Sequence, residues 1–337
     1  MAKRNSKSEP KQAMSVGVIG LGLMGTSIAT CLLAAGHRVV GIDRIAARRR
    51  SLKRRIEGLL REMRSEKLLS RNPERLLSNL DSSGSIEALR DCGLVIESIF
   101  EDLAAKRKLL REVEDIVAPD ALIGSNTSAL PVTELQRGAR HPGRILGIHW
   151  GEPAHILRFL EVICGEQTQQ RNAEKVMHLA EQWNKEPTLV RRDIRGFITN
   201  RIMYAMLREA FYLVENGYAT VEDVDRSVRN DMGYWMTLAG PFRYMDLTGI
   251  PAYAAVMRDL LPELCCDKQV PELMQELVAS GGRGISNAKG FHSYTRANAK
   301  HWEKRFLSFS YDIRALALKY RDSTLHSVVR ERRGHDG

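Results

Sequence analysis

The chain has 337 residues, 43% apolar and 27% charged, with 51 Lys and Arg against 41 Asp and Glu for a formal charge of +10. That length suggests about two hydrophobic cores, and the apolar content excludes a wholly disordered chain. No apolar run approaches the roughly 20 residues of a bilayer-spanning helix, and the positive charge predicts attraction to anions without choosing among them.

Residues 1–13 are polar, basic and non-periodic, and they lack the apolar stretch of a secretory signal. Glu9 and Pro10 interrupt any basic amphipathic helix, so a loose tail is expected there. Order is expected from Met14. Residues 15–19 read as a short buried strand that runs directly into Gly20-Leu21-Gly22-Leu23-Met24-Gly25. Residues 26–35 follow a helical pattern stopped by Gly36, and 38–43 form a second strand ending in Asp43. This is one βαβ unit. Residues 45–69 read as a long, very basic helix. Apolar strands are expected at 94–98, 121–125 and 144–149, with helices around 103–117 and after Pro131. Such alternation predicts a doubly wound, mostly parallel sheet.

Beyond about residue 190 the strand signals fade. Residues 197–215 carry apolar side chains at helical spacing, and Thr220-Val221-Glu222-Asp223 resembles a capping box. The expected architecture is therefore an α/β Rossmann-type doubly wound sheet over residues 14–193, followed by an all-α C-terminal domain over 194–329. A frayed basic end is expected at 330–337. The cysteines Cys31, Cys92, Cys164, Cys265 and Cys266 are odd in number, two are adjacent and no CxxC occurs. Neither a disulfide framework nor a zinc site is indicated; reduced, mostly buried thiols in a cytoplasmic protein are expected.

The glycine-rich turn carries the most specific chemistry. It follows a strand and opens a helix, and an acid ends the next strand, which is the context that makes GxGxxG a dinucleotide site. Gly20 permits the tight turn, Gly22 lets the backbone approach a pyrophosphate, and Gly25 lets helix and strand pack closely. The cofactor-binding residues expected here are Gly20, Leu21, Gly22, Leu23, Met24, Gly25 and Asp43. A carboxylate at Asp43 suits the adenosine ribose hydroxyls and repels an added phosphate, so NAD is the expected cofactor.

Eight segments, in order and at matching spacing, resemble the L-3-hydroxyacyl-CoA dehydrogenase family and its relatives acting on free 3-hydroxy acids. They are VGVIGLGLMGTSIA (16–29), VIESIFEDLAAKRKLL (95–110), SNTSALPVTEL (125–135), GRILGIHW (143–150), RFLEVICG (158–165), GFITNR (196–201), AGPFRYMDLTG (239–249) and KGFHSY (289–294). The resemblance implies that His149 is the catalytic acid/base and that Glu161 orients it. It places Ser128 and Asn200 beside the reacting carbon and nicotinamide, and Glu101 and Lys106 along the cofactor. Alcohol oxidation needs such a set: a base to take the hydroxyl proton while hydride leaves carbon, and a carboxylate to fix the tautomer of the histidine. It implies NAD-dependent oxidation of a short 3-hydroxyacyl-CoA, such as 3-hydroxybutyryl-CoA. The alternatives are a free 3-hydroxy acid of the carnitine or gulonate type, or an NAD-binding protein without turnover. A homodimer is the implied assembly, with a small-molecule substrate and neither nucleic acid nor membrane as partner.

Two features depart from the family pattern. After His149 the run is Trp150-Gly151-Glu152-Pro153-Ala154-His155, with Glu152 where the family has an amide. Arg158 stands where Lys is common. The helix at 45–69 carries Arg48, Arg49, Arg50, Lys53, Arg54 and Arg55 at its start, which fits either the phosphates of CoA or a solvated face.

Overall fold

The computed structural model describes residues 13–320. The expectation of a tail therefore lies outside the described residues except at Ala13, and that of a frayed end lies wholly outside them. The chain divides into two compact units that part between Arg201 and Ile202.

Among the described residues the first unit is built on eight strands: β1 (Ser15–Ile19), β2 (Arg38–Ile42), β3 (Leu80–Ser83), β4 (Leu94–Glu97), β5 (Leu122–Ser125), β6 (Ile145–Trp150), β7 (Phe159–Ile163) and β8 (Glu186–Val190). They form one sheet in the order β3-β2-β1-β4-β5-β6-β7-β8. Every pairing is parallel except β6 with β7. The helices between them are α1 (Leu23–Ala35), α2 (Ala46–Ser65), α3 (Pro73–Leu77), α4 (Leu103–Glu114), α5 (Val132–Gln136) and α6 (Gln170–Gln182).

Successive strand residues point to opposite faces, and both faces are covered. Val16, Val18, Leu94, Ile96, Leu146 and Ile148 join one core with Ile28 and Leu32 of α1 and Val176 and Leu179 of α6. Ile19, Val95, Ile123 and Ile145 join a second core with Leu109, Leu110 and Val113 of α4. The near-continuous apolar strands follow from this double burial. Gly36, in the left-handed conformation at φ 97°, closes α1 by donating its amide to carbonyls of that helix.

The helix expected over 45–69 is shorter. At Lys67 the backbone turns left-handed, at φ 58°. The amides of Leu68 and Leu69 fold back onto the Met63 carbonyl, ending α2. Three strands are absent from the sequence expectation. β3 and β8 are edge strands with much exposed or half-exposed surface, and β8 contains Pro187. β7 lies antiparallel because only residues 151–158 join it to β6, too short for a parallel crossover.

The second unit is helical: α7 (Thr199–Glu215, whose first turn belongs to the first unit), α8 (Val221–Asn230), α9 (Met232–Met236), α10 (Pro241–Thr248), α11 (Ile250–Leu260), α12 (Glu272–Ala279) and α13 (Arg296–Lys319). Thr220 caps α8, its Oγ1 accepting from the Asp223 amide at 3.2 Å, but the reciprocal half of the expected capping box is not formed, because the Asp223 carboxylate accepts from the Thr220 hydroxyl at 2.7 Å instead of from its amide. Among the described residues no helix is long and apolar enough to cross a membrane.

Candidate active site

The glycine-rich turn joins β1 to α1. Gly20 has φ 91°, and a Cβ there would lie 2.5 Å from the Ser98 carbonyl oxygen. A Cβ on Gly25 would lie 1.8 Å from the Gly20 carbonyl oxygen, so only glycine lets α1 close on the turn. Among the described residues nothing stands within 4 Å of the Cβ position at Gly22, and no side chain caps α1 there. The first amides of the helix thus face an open cradle of the kind that takes an anion.

Asp43 sits just after β2 and is buried. Its Oδ2 accepts from the Leu21 amide at 2.9 Å and its Oδ1 from the Ile45 amide at 2.8 Å, with the Arg48 guanidinium 3.4 Å away. Burial alone would raise this carboxyl, but the two amides and Arg48 outweigh it and hold the group below the usual carboxylate range. The turn, the uncapped helix and an ionised acid beside them fit a dinucleotide.

A second group lies at the ends of β4 and β5. Glu97 is 0% exposed and Lys106, on α4, only 1%. Glu97 accepts from the Lys106 ammonium (2.6 Å), the Ile99 amide (2.7 Å) and the Ser125 hydroxyl (2.6 Å). The same ammonium lies 3.4 Å from Glu101. Glu101 in turn accepts from the Thr127 hydroxyl (2.5 Å) and from the amides of Ser128 (2.9 Å) and Ala129 (3.2 Å). Burial would raise the Glu101 carboxyl; Thr127, Lys106 and the two amides outweigh it and lower it. Asn126 ties the neighbouring strand ends together, accepting from the Trp150 amide and donating to Ser98.

The third group surrounds His149. The antiparallel register of β6 and β7 sets His149 opposite Glu161, and the imidazole Nδ1 lies 2.9 Å from Glu161 Oε2. Both side chains are buried. The other oxygen, Oε1, accepts from the amides of Ile198 (3.2 Å) and Thr199 (3.0 Å). Those amides reach it through two left-handed residues, Gly196 at φ 80° and Phe197 at φ 51°. Burial would raise the Glu161 carboxyl, yet the His149 hydrogen bond and the amides outweigh it and keep it below the usual range. The rings of Phe159 and Phe197 pack against the imidazole at 5.4 and 5.8 Å between centroids. Asn200, in the first turn of α7, donates to the Ser128 carbonyl at 2.8 Å and so joins the Ser128 loop to this group. An ionised carboxylate on Nδ1 leaves Nε2 as the ring atom able to exchange a proton with a ligand.

His155, the other histidine of this stretch, is turned away to a separate task. Its amide donates to Ser27 Oγ on α1 (3.0 Å), its Nδ1 meets the same hydroxyl (2.9 Å), and Nε2 lies 3.5 Å from Glu62 of α2. Lys185 donates to the carbonyls of Ala154 and Leu157, Arg158 pairs with Glu186 at 2.9 Å, and Glu152 remains exposed on the pinned loop. Burial lowers the His155 imidazole, and Glu62 opposes that only in part. The unfolded chain then binds this proton more readily than the folded one, so this contribution to stability is fully present above the unfolded value of about 6.5 and is lost as pH falls from there through the lower folded value. A His155→Gln variant is expected to show a flatter stability profile than the parent between about pH 7 and 5 by urea unfolding; an unchanged slope would refute this.

Sequence reasoning missed Glu97, Phe197, Arg55 and His155 as members of the site's framework. An acid closing the apolar run of β4 is the signal that points to Glu97.

The family model described as "3-hydroxyacyl-CoA dehydrogenase, NAD binding domain" matches residues 15–194, and "3-hydroxyacyl-CoA dehydrogenase, C-terminal domain" matches 196–294. The chain is 31% identical over 290 residues to 5-formyl-3-hydroxy-2-methylpyridine 4-carboxylate 5-dehydrogenase of Mesorhizobium japonicum, covering 85% of this chain and 92% of that protein. It is 31% identical over 284 residues to 3-hydroxybutyryl-CoA dehydrogenase of Bradyrhizobium diazoefficiens, covering 84% and 96%. Among solved structures, a 5-formyl-3-hydroxy-2-methylpyridine 4-carboxylic acid 5-dehydrogenase, described as an NAD+ dependent dismutase, superposes with TM-score 0.85 at 27% identity, over 92% of this chain and all of that one. The (S)-3-hydroxybutyryl-CoA dehydrogenase of Ralstonia eutropha gives 0.69 at 29% identity, over 84% of this chain and all of that one.

Proposed function

The chain belongs to the 3-hydroxyacyl-CoA dehydrogenase family and is an NAD-dependent oxidoreductase, and we propose that it oxidises a free hydroxy acid, or a related carboxylate-bearing alcohol or aldehyde, rather than a CoA thioester. The observation that carries this reading is the structural likeness to the pyridine-carboxylate dehydrogenase, 0.85 over 92% of the chain, against 0.69 over 84% for the thioester enzyme. Of the basic start of α2, Arg48 and Arg49 contact Asp43 and Arg55 contacts the glycine-rich turn, while Arg50, Lys53 and Arg54 are exposed.

In the proposed reaction His149 Nε2 takes the proton of the hydroxyl of the alcohol, or of the hydrate that water forms with an aldehyde, as hydride leaves the same carbon. Glu161 holds the opposite nitrogen and stabilises the imidazolium that forms. Ser128 hydrogen-bonds the substrate oxygen, and Asn200 orients substrate or nicotinamide. Glu101 lines the cofactor and braces the Ser128 loop, whereas Lys106, buried behind it, does not reach the cofactor as the resemblance implied and acts by steadying Glu101. Bound NAD supplies the hydride acceptor. The finer properties belong to the same proposal: a cytoplasmic location, and a homodimer, the latter supported by exposed Tyr234, Leu238 and Phe242 on the helical unit.

The test is NADH oxidation by the pure protein with acetoacetyl-CoA, free acetoacetate, 3-dehydrocarnitine and the formylpyridine carboxylate itself. A free acid or aldehyde is expected to exceed the thioester in kcat/KM by at least about 100-fold. Faster turnover of acetoacetyl-CoA would overturn the proposal and place the chain with the 3-hydroxybutyryl-CoA enzymes.

A further inference from the structure

The basic start of α2 has a use that neither charge count nor family membership assigns. Leu52, Ile56, Leu60 and Met63 form its buried stripe. Arg55 flanks that stripe beside Ile56, so packing α2 through the stripe holds its half-buried side chain against the glycine-rich turn, while Arg48 stays exposed. The Arg55 guanidinium meets four oxygens. Nη2 donates to the carbonyls of Leu21 (3.0 Å) and Arg48 (3.1 Å); Nη1 donates to the Gly22 carbonyl (3.5 Å) and to Thr26 Oγ1. Thr26 Oγ1 itself donates to the Gly22 carbonyl at 2.7 Å.

We propose that Arg55 is a positioning residue for the pyrophosphate of the dinucleotide. It grips the carbonyl side of the glycine-rich turn and thereby sets the amides on the other side of the same peptides. A trans peptide points its C=O and N–H in opposite directions, so fixing the Leu21 and Gly22 carbonyls fixes the amides of Gly22 and Leu23. A cation on the oxygen also polarises the peptide and strengthens its N–H as a donor. The turn needs this bracing because its glycines, chosen for close approach, have the most conformational freedom to lose. Arg suits the task where Lys does not, since two nitrogens of one planar fork reach separate acceptors at once.

Three variants test the proposal by equilibrium binding of NADH and ADP-ribose, with melting temperature as a control. Arg54 is exposed on the same helix with no hydrogen bond or ion pair among the described residues, so Arg54→Met removes equal charge without touching the turn. Arg55→Met is expected to weaken NADH and ADP-ribose alike, by about 10- to 30-fold, while Arg54→Met stays within about twofold of the parent. Arg55→Lys keeps the charge but loses the fork, and a loss of about three- to tenfold is expected at an unchanged melting temperature. Equal weakening in Arg54→Met and Arg55→Met would assign the effect to overall charge and overturn the proposal. So would parental affinity in Arg55→Met, or weakened NADH binding with ADP-ribose unchanged, which would place the lesion at the nicotinamide end. Should Arg55→Met fail to fold, Arg55→Lys decides: parental affinity there overturns the proposal.

Discussion

His149→Gln is expected to lower kcat by about 10²- to 10⁴-fold while NADH affinity changes by no more than about threefold. Glutamine is close to histidine in reach and can still donate to Glu161 Oε2, which lies 2.9 Å from the imidazole. The cleft should therefore keep its shape, but an amide cannot take a proton from an alcohol near neutral pH. Cofactor affinity is expected to survive because the glycine-rich turn and Asp43 form a separate group, held by their own hydrogen bonds. Single-turnover rates and NADH fluorescence titration separate the two effects. A variant with turnover near that of the parent would remove His149 from the chemistry, and a collapse of NADH binding would show that the substitution acts by unfolding. Glu161 adds a pH signature. Its carboxyl is held low in the folded protein by His149 and two amides, despite burial, so its contribution to stability is present above the unfolded value of about 4.3 and is lost as pH falls through the folded one.

Lys106→Met is expected to destabilise the first unit by about 3–5 kcal/mol, the cost of leaving a buried charge without its partner. Glu97 would keep the Ser125 hydroxyl and the Ile99 amide but lose the ammonium 2.6 Å away, at a position with 0% exposure. Adding Glu97→Gln removes the stranded charge, so the double variant is expected to regain most of the lost stability. Activity is expected to follow a different course. Glu101 would still lack the cation 3.4 Å away that steadies it, and Glu101 holds the loop carrying Ser128 through two amides and Thr127. Urea unfolding and steady-state kinetics on both variants give the comparison. Full recovery of kcat in the stable double variant would reduce the network to a structural role, and parental stability in Lys106→Met would show that the ion pair contributes little.

The glycine-rich turn was legible because its requirements are local. Gly20, Gly25 and Asp43 fall within one βαβ unit, and the close approaches that exclude a Cβ are made by the unit and by Ser98 and Ile99, just after the adjoining strand β4. His149 and Glu161 were legible as a pair only through family resemblance, since nothing in their spacing alone says that β7 reverses direction. The edge strands β3 and β8 were missed for a physical reason. Half-exposed strands need no strong apolar pattern, and hydrogen bonds from a neighbour decide whether they form at all.

The amino-acid sequence by itself determined the two-part architecture, the dinucleotide turn and the identity of the titratable groups, because these rest on local periodicity, backbone freedom and residue chemistry. The tertiary structure decided which of those groups meet. It set the short turn that makes β7 antiparallel and brings Glu161 opposite His149. It set the left-handed pair Gly196–Phe197 that returns two amides to Glu161. Packing of α2 through its apolar stripe likewise selected Arg55, and not its neighbour Arg54, to face the glycine-rich turn. Charge and hydropathy are properties of a residue, whereas burial and partnership are properties of a place, and only the folded chain assigns places.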